Sequence, residues 1–339
     1  MVYKMKKQTR MVFILLLLLL FPFAIAYTED ETEFEAYEKF EPIPGPEDMD
    51  FDRWNNRIII SSHDRRDTEK PGNIFALDPE TGQIDILRRE NEPTGYVFHP
   101  HGICIVKSDT EAILLYVIVH GEESDDGTAH SIAVYEVSPD SLMLMELLED
   151  SLLESPNDLA AYPDGRLYVS NDKSKDGGMF EMLLGLKKSS VVFYNGRGEW
   201  KRAATKLAMA NGVAVDGDTV YVAATRDNSV FSYTAAADGS LSEKQRIAKV
   251  KGADNFYMQN NMLYIASHEK IFKLFAHFSK PEKHSPSLVY GIDLATNQKE
   301  RIFYNRGELI SAVSVGIPYG DSLYLGQIFD PFVLKVTIK

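Results

Sequence analysis

Residues 165–170 read GRLYVS, a turn glycine leading into a β-prone apolar run that ends on a small residue. Five other segments share this build: 56–61 (NRIIIS), 111–118 (EAILLYVI), 218–223 (DTVYVA), 261–266 (NMLYIA) and 321–326 (DSLYLG). Their starts lie 55, 54, 53, 43 and 60 residues apart. That spacing leaves room for about four short strands per repeat, the content of a propeller blade rather than of a βα unit. The fold class expected is all-β, a six-bladed β-propeller, with an open tunnel where the connecting segments meet the axis.

The sequence between these segments supports the same reading. DPETG at 78–82, PDG at 163–165, DGD at 216–218 and ADG at 237–239 are turn punctuation between apolar alternations. Residues 191–194 and 230–233 read as further blade strands, and 332–338 as the strand that closes the ring. Helical periodicity occurs only over 141–153 and 179–186, and both segments are short enough to read instead as strand plus loop. Residues 47–339 form one propeller domain. The preceding segment, 27–46, is acidic and then carries Pro42, Pro44 and Pro46, the composition of an extended lead-in.

Lys4, Lys6, Lys7 and Arg10 precede an apolar run at 11–26 that ends in AIA, so residues 1–26 read as a signal peptide or N-terminal anchor. The location expected is secreted, periplasmic or cell-envelope, with membrane or lipid-surface association through the N-terminus. Losing that segment takes the net charge from −14 to −18. So acidic a body repels phosphate backbones and excludes nucleic acid as a partner. The single cysteine, Cys104, sits in an apolar run and reads as an inert buried thiol.

Three dipeptides place two oxygen donors side by side: Glu47-Asp48, Asn157-Asp158 and Asp254-Asn255. Consecutive side chains of an extended backbone point to opposite sides, so each pair can serve two sites. One such dipeptide is ordinary turn chemistry. The recurrence is more informative, because Asn157, Asn211 and Asp254 each precede a strand core by 7 or 8 residues. Converging, Glu47, Asn157, Asn211, Asp254 and Asn255 would offer one Ca²⁺ at least five oxygens. Asp48 and Asp158 would face a second Ca²⁺. Zinc is disfavoured by the lack of a Cys/His ligand set. HPHG at 99–102, with His120 ending the next apolar strand, offers imidazoles near the cation. His63, His130, His277 and His284 read as surface or packing residues. No GxSxG elbow occurs, which disfavours a serine hydrolase.

From about residue 45 to 339 the chain resembles the paraoxonase/arylesterase family, relatives of gluconolactonase-like propellers. The resemblance rests on GPED (45–48), HPHGI (99–103), VIVH (117–120), PNDL (156–159), SND (170–172), LLGLKKSSVVFY (183–194), ANGV (210–213), ADN (253–255) and SH (267–268). It implies two calcium ions: a catalytic one on Glu47, Asn157, Asn211, Asp254 and Asn255, and a structural one on Asp48, Asp158 and the backbone carbonyl of Ile103. It also implies a dyad of His101 as base and His120 as partner, with Asp172 and His268 lining the pocket. Lys173 stands where the family usually has a histidine, and no disulfide can form. The activity implied is hydrolysis of small-molecule lactones and aryl esters. A gluconolactonase-type sugar-lactone hydrolase and a non-catalytic calcium-binding scaffold are the alternatives.

Overall fold

The computed structural model describes residues 30–121 and 130–338. The expected signal segment, 1–26, lies outside them. Thr32–Lys339 forms one compact unit, and six sheets arranged as a propeller account for its strands. Blade 1 runs through Pro46–Asp52, Arg57–Ser62, Asn73–Leu77 and Ile84–Ile86. Blade 2 begins with Pro100–Lys107, Ile113–His120, His130–Val137 and Ser141–Glu149, and Arg88–Glu90 adds a parallel edge to it. Blades 3, 4 and 5 start at Pro156–Ala161, Ala210–Asp216 and Ala253–Gln259 and continue by antiparallel hairpins. Blade 6 takes Val313–Tyr319, Ser322–Gln327 and Val333–Ile338 from the end of the chain, and Phe34–Phe40 from its beginning.

The six cores recognised in the sequence fall on the second strands of the blades. Arg57–Ser62 and Leu167–Asn171 are buried along their whole length. Both faces of such a strand are covered by neighbouring sheets, so an apolar run suits it better than an alternation. The core is correspondingly divided into clusters that each fill the gap between adjacent blades. Ile59, Ile74, Val117 and Tyr135 lie between blades 1 and 2, and Val169, Val192, Ile118 and Leu148 between blades 2 and 3.

Ring closure is non-covalent. Phe34–Phe40 pairs antiparallel with Val333–Ile338, with Lys39 opposite Leu334 and Tyr37 opposite Val336. This closing strand lies within the segment expected to be an extended lead-in. Phe40 is buried and stacks on Tyr324, with ring centroids 6.1 Å apart.

Of the two segments that read as helix or as strand plus loop, Ser141–Glu149 is a strand, the fourth of blade 2. A bulge between Leu144 and Glu146 shifts its alternation, so that Leu147 joins Leu142 and Leu144 on one face and Leu148 packs on the other, and the apolar positions fall three and four apart as they do on a helix. Met179–Leu184 is helical, whereas Ile271–Ser279 is a helix the reading passed over. Its buried Leu274 and His277, three apart, are the helical signal.

Truncating Phe40 should test the closure directly. Phe40→Ala is expected to cost about 3 kcal/mol in a denaturant titration, the usual penalty for emptying a buried aromatic site. A change of less than about 0.5 kcal/mol, typical of surface positions, would show that this strand does not hold the ring shut.

A candidate metal-binding active site

The innermost strands all begin with the same irregularity. Register shifts occur between Pro46 and Asp48, Pro100 and Ile103, Pro156 and Leu159, Ala210 and Val213, Ala253 and Phe256, and Val313 and Val315. A bulge leaves the ladder unpaired locally and re-aims the side chains there. The second residues of these strands are Glu47, His101, Asn157, Asn211, Asp254 and Ser314. They are the polar residues the repeat brings to one end of the axis.

Their contacts connect the blades. Asn211 Nδ2 donates to Asp254 Oδ1 at 2.7 Å. Asn255 Nδ2 donates to Glu47 Oε1 at 3.0 Å. His268 Nε2 meets Asp254 Oδ2 at 2.7 Å. His101 Nε2 lies 3.3 Å from Glu47 Oε1, and its Nδ1 lies 2.6 Å from His120 Nε2. Burial alone would raise the Glu47 carboxyl. The charge and hydrogen bond of His101, with help from Arg65 and Asn255, outweigh it and hold that carboxyl at about 2.

Four buried oxygens of this group lack a hydrogen-bond partner among the described residues: Glu47 Oε2, Asn157 Oδ1, Asn211 Oδ1 and Asn255 Oδ1. An unsatisfied buried acceptor costs about 1–3 kcal/mol, so four in one place call for a donor or a cation. A set of amide and carboxylate oxygens suits a hard cation such as Ca²⁺. Among the described residues no three His, Cys, Asp or Glu side chains cluster as a metal site, in keeping with a donor set rich in amides. Asp254 differs from the other four, since both its oxygens are already engaged.

Asp48 and Asp158 lie one residue further along, also buried. Asp48 Oδ2 accepts from Ile103 N at 2.7 Å, and Asp158 Oδ2 accepts from Val213 N at 2.7 Å. Both carboxyls are pushed well above their ordinary range, by burial first. For Asp48 the Asp158 charge is the next cause, and Glu47 repels both. Two buried carboxylates that repel one another are relieved by a shared cation. The third residue of the blade 2 innermost strand is Gly102. A Cβ there would lie 2.5 Å from the Asn157 carbonyl oxygen and 3.1 Å from Asp158 Oδ1.

The remaining expected site residues divide. His268 joins the ring through Asp254, while its Nδ1 has no partner among the described residues. Asp172 Oδ1 instead accepts from Ser155 Oγ at 2.5 Å. Two residues were overlooked. Arg65 is a cation in the field of Glu47. His130 Nδ1 lies 3.2 Å from His120 Nδ1 and extends the dyad, which corrects its reading as a packing residue. His120 is held well below the ordinary imidazole range, by burial first and then by the charges of His101, His130, Arg65 and Lys173. His130 is lowered to about 4, by burial first and then by Lys173 and His101.

The family profile described as Arylesterase matches residues 64–333. Serum paraoxonase/arylesterase 2 of Gallus gallus is 26% identical over 278 residues, covering 77% of this chain and 75% of that protein. Serum paraoxonase/lactonase 3 of Homo sapiens is 25% identical over 273 residues, with coverage of 77% and 75%. Among solved structures, a gluconolactonase from Xanthomonas campestris superposes with a TM-score of 0.57 at 15% identity, covering 92% of this chain and 96% of that one. Regucalcin from Agrobacterium tumefaciens, described as a calcium-binding protein, superposes with a TM-score of 0.56 at 12% identity, covering 90% and 96%. These likenesses extend the propeller fold to a wider group.

Gly102→Ala is expected to force the Asn157–Asp158 backbone outwards and to cost about 1–3 kcal/mol, the range for overpacking a tight site. Thermal denaturation checks it. An unchanged melting temperature would mean that blades 2 and 3 have slack at this point.

Proposed function

The chain belongs to the arylesterase family, and from its site we propose that it is a calcium-dependent hydrolase of lactones and aryl esters. The observation that carries the reading is the group of four buried oxygens, on Glu47, Asn157, Asn211 and Asn255, without partners among the described residues and beside an imidazole. The names of the family and of the relatives, paraoxonase/arylesterase and paraoxonase/lactonase, support the choice of substrates. The calcium-binding description of regucalcin supports the choice of ion.

Glu47, Asn157, Asn211, Asp254 and Asn255 would hold one Ca²⁺. Asp48 and Asp158, with the Ile103 carbonyl, would hold a second. When bound at the first set, the cation polarises the substrate carbonyl and stabilises the negative charge that develops on its oxygen. Three of the five residues are neutral amides, so much of the ion's charge is left for the substrate.

His101 is the base. Its Nε2 takes a proton from the attacking water as the water oxygen bonds to the carbonyl carbon. The imidazolium so formed is stabilised by Glu47 Oε1, 3.3 Å away, because that contact becomes a charge-assisted hydrogen bond. The acyl C–O bond then breaks, and the His101 proton passes to the departing alkoxide or phenoxide. A lactone yields a hydroxy acid; an aryl ester yields an acid and a phenol. His120 keeps the His101 ring oriented through its 2.6 Å contact with Nδ1.

Two experiments test this reading. Hydrolysis of phenyl acetate and of a long-chain aliphatic lactone should be abolished by a calcium chelator and restored by added Ca²⁺; persistence of both activities in chelator would overturn the metal role. His101→Gln should lower kcat by about 10²–10⁴, the usual contribution of a general base, with bound calcium unchanged. Full activity in that variant would remove His101 from the mechanism.

A further inference from the structure

We propose that a cleft between blades 4 and 5 seats an anionic group, a carboxylate or phosphate carried by the ester or lactone itself. The inference rests on the hydrolase reading and adds to it a preference for anionic substrates. The cleft holds about 360 Å³, within the range of small-molecule sites. Its charged lining is Arg226, Lys251, Lys270 and Lys273 against one acid, Glu269. Such a gathering of positive charge runs against a chain whose net charge is −14.

The repeat puts these groups beside the candidate site. Ser267, the last residue of the second strand of blade 5, pairs with Ala253, next to Asp254. In blade 4, Ala224 pairs in the same way with Ala210, next to Asn211. The segments that leave these two strands both line the cleft. Arg226 is fixed there, because its Nε and Nη2 donate to the carbonyl oxygens of Met182 and Leu183 at 3.0 and 2.9 Å. Glu269 is occupied by Tyr290, whose hydroxyl donates to its Oε1 at 2.9 Å. Lys251, Lys270 and Lys273 form no ion pair among the described residues.

The helix Ile271–Ser279 starts on Lys270 without a side-chain cap, and its first turn holds no acid. The first N–H groups of a helix lack acceptors of their own, and its N-terminus carries partial positive charge. Lys270 and Lys273 add to that charge, whereas a bound anion would offset it. His268 is an independent mark of a ligand. It is 5% exposed and lines the cleft, and its Nδ1 is buried without a partner among the described residues. Its Nε2 lies 2.7 Å from Asp254 Oδ2. One residue thus borders the cleft and touches a proposed metal ligand, which favours a substituent of the substrate over a separate anion. Ile271 and Phe272 offer apolar surface to the body of such a molecule.

The test uses the calcium-loaded full chain and the combined variant Lys251→Gln, Lys270→Gln, Lys273→Gln, in which every altered side chain is exposed. Phenyl acetate is the uncharged substrate. The anionic ones are 4-acetoxybenzoate, charged on the leaving group, and monophenyl glutarate, charged on the acyl chain. On whichever anionic ester the parent hydrolyses faster, the variant should lose about tenfold in kcat/KM relative to phenyl acetate, through KM, the low end of the focusing by a cleft of one charge sign. In the parent, sulfate at constant ionic strength should compete with that ester and not with phenyl acetate. An unaltered ratio in the variant would overturn the anion seat and leave the hydrolase reading standing. Sulfate that inhibits all the esters alike would assign the anion to the metal site. Sulfate that alters kcat without competing would make it a free effector, and either result overturns the proposal. A parent inactive on all three esters would overturn the hydrolase reading, and this inference with it. Should the variant fail to fold, the sulfate competition in the parent decides.

Discussion

Every innermost strand of this propeller starts with a bulge, and the candidate site depends on it. In a regular strand, successive side chains point alternately into the gaps on either side of the sheet. Here those gaps hold the inter-blade cores, such as the Ile59, Val117 and Tyr135 group. A polar side chain sent there would be buried without a partner. The bulge releases the first residues from the ladder, so that Glu47, His101, Asn157, Asn211 and Asp254 gather at one end of the axis. At about 1–3 kcal/mol per unsatisfied buried acceptor, the four bare oxygens are a sizeable debit against marginal protein stability. Burial of the six inter-blade cores offsets that debit in the bare protein, and a cation at the site would remove it.

The next position along each strand carries the second proposed set of ligands. In blades 1 to 4 it is occupied by Asp48, Gly102, Asp158 and Gly212. The carboxylates bond forward to the following blade, Asp48 to Ile103 N and Asp158 to Val213 N, each across 55 residues. The glycines stand where the following blade comes too close for a side chain. A Cβ at Gly102 or Gly212 would lie 2.5 Å from the Asn157 or the Asp254 carbonyl oxygen. Acidic and empty positions alternate around this part of the ring, which brings two like charges near each other without bringing a steric clash. The repeat length seen in the sequence is therefore also the length of these hydrogen-bonded steps between blades.

Much of this was legible because a blade is a local object. The GRLYVS and DTVYVA cores are second strands, and a tight hairpin ties each to an innermost strand 7 or 8 residues earlier, where the proposed Asn and Asp ligands stand. The resemblance of segments such as HPHGI and PNDL supplied the roles. Features that depend on register were not legible. The 141–149 strand has apolar residues at helical spacing because its bulge puts Leu147 on the face of Leu144 and Leu148 on the opposite face. His130 read as a packing residue because it joins His120 only through the pairing of two strands. Arg65 carries no motif, and its bearing on Glu47 comes from the fold of the loop that holds it.

Blade 6 supplies none of the proposed ligands, yet the ring of ligands depends on it. Glu47 opens blade 1, and Asn255 belongs to blade 5, 208 residues away in sequence; the contact between them crosses the seam that blade 6 fills. Ser314, on the innermost strand of blade 6, donates through Oγ to the Glu47 backbone oxygen at 2.5 Å. Glu47 is thus held from the blade that the closing strand Phe34–Phe40 completes. Loosening that strand lets blade 6 move, and the Glu47 carboxylate then shifts relative to Asn255 and to His101. The proposed five-ligand set would tolerate little such movement, and neither would a His101 base whose imidazolium relied on its 3.3 Å contact with Glu47. On the proposed reading, ring closure and the site are therefore coupled through the Glu47 backbone carbonyl, and damage at the outer edge of blade 6 would weaken metal binding and proton transfer together, although it touches neither group.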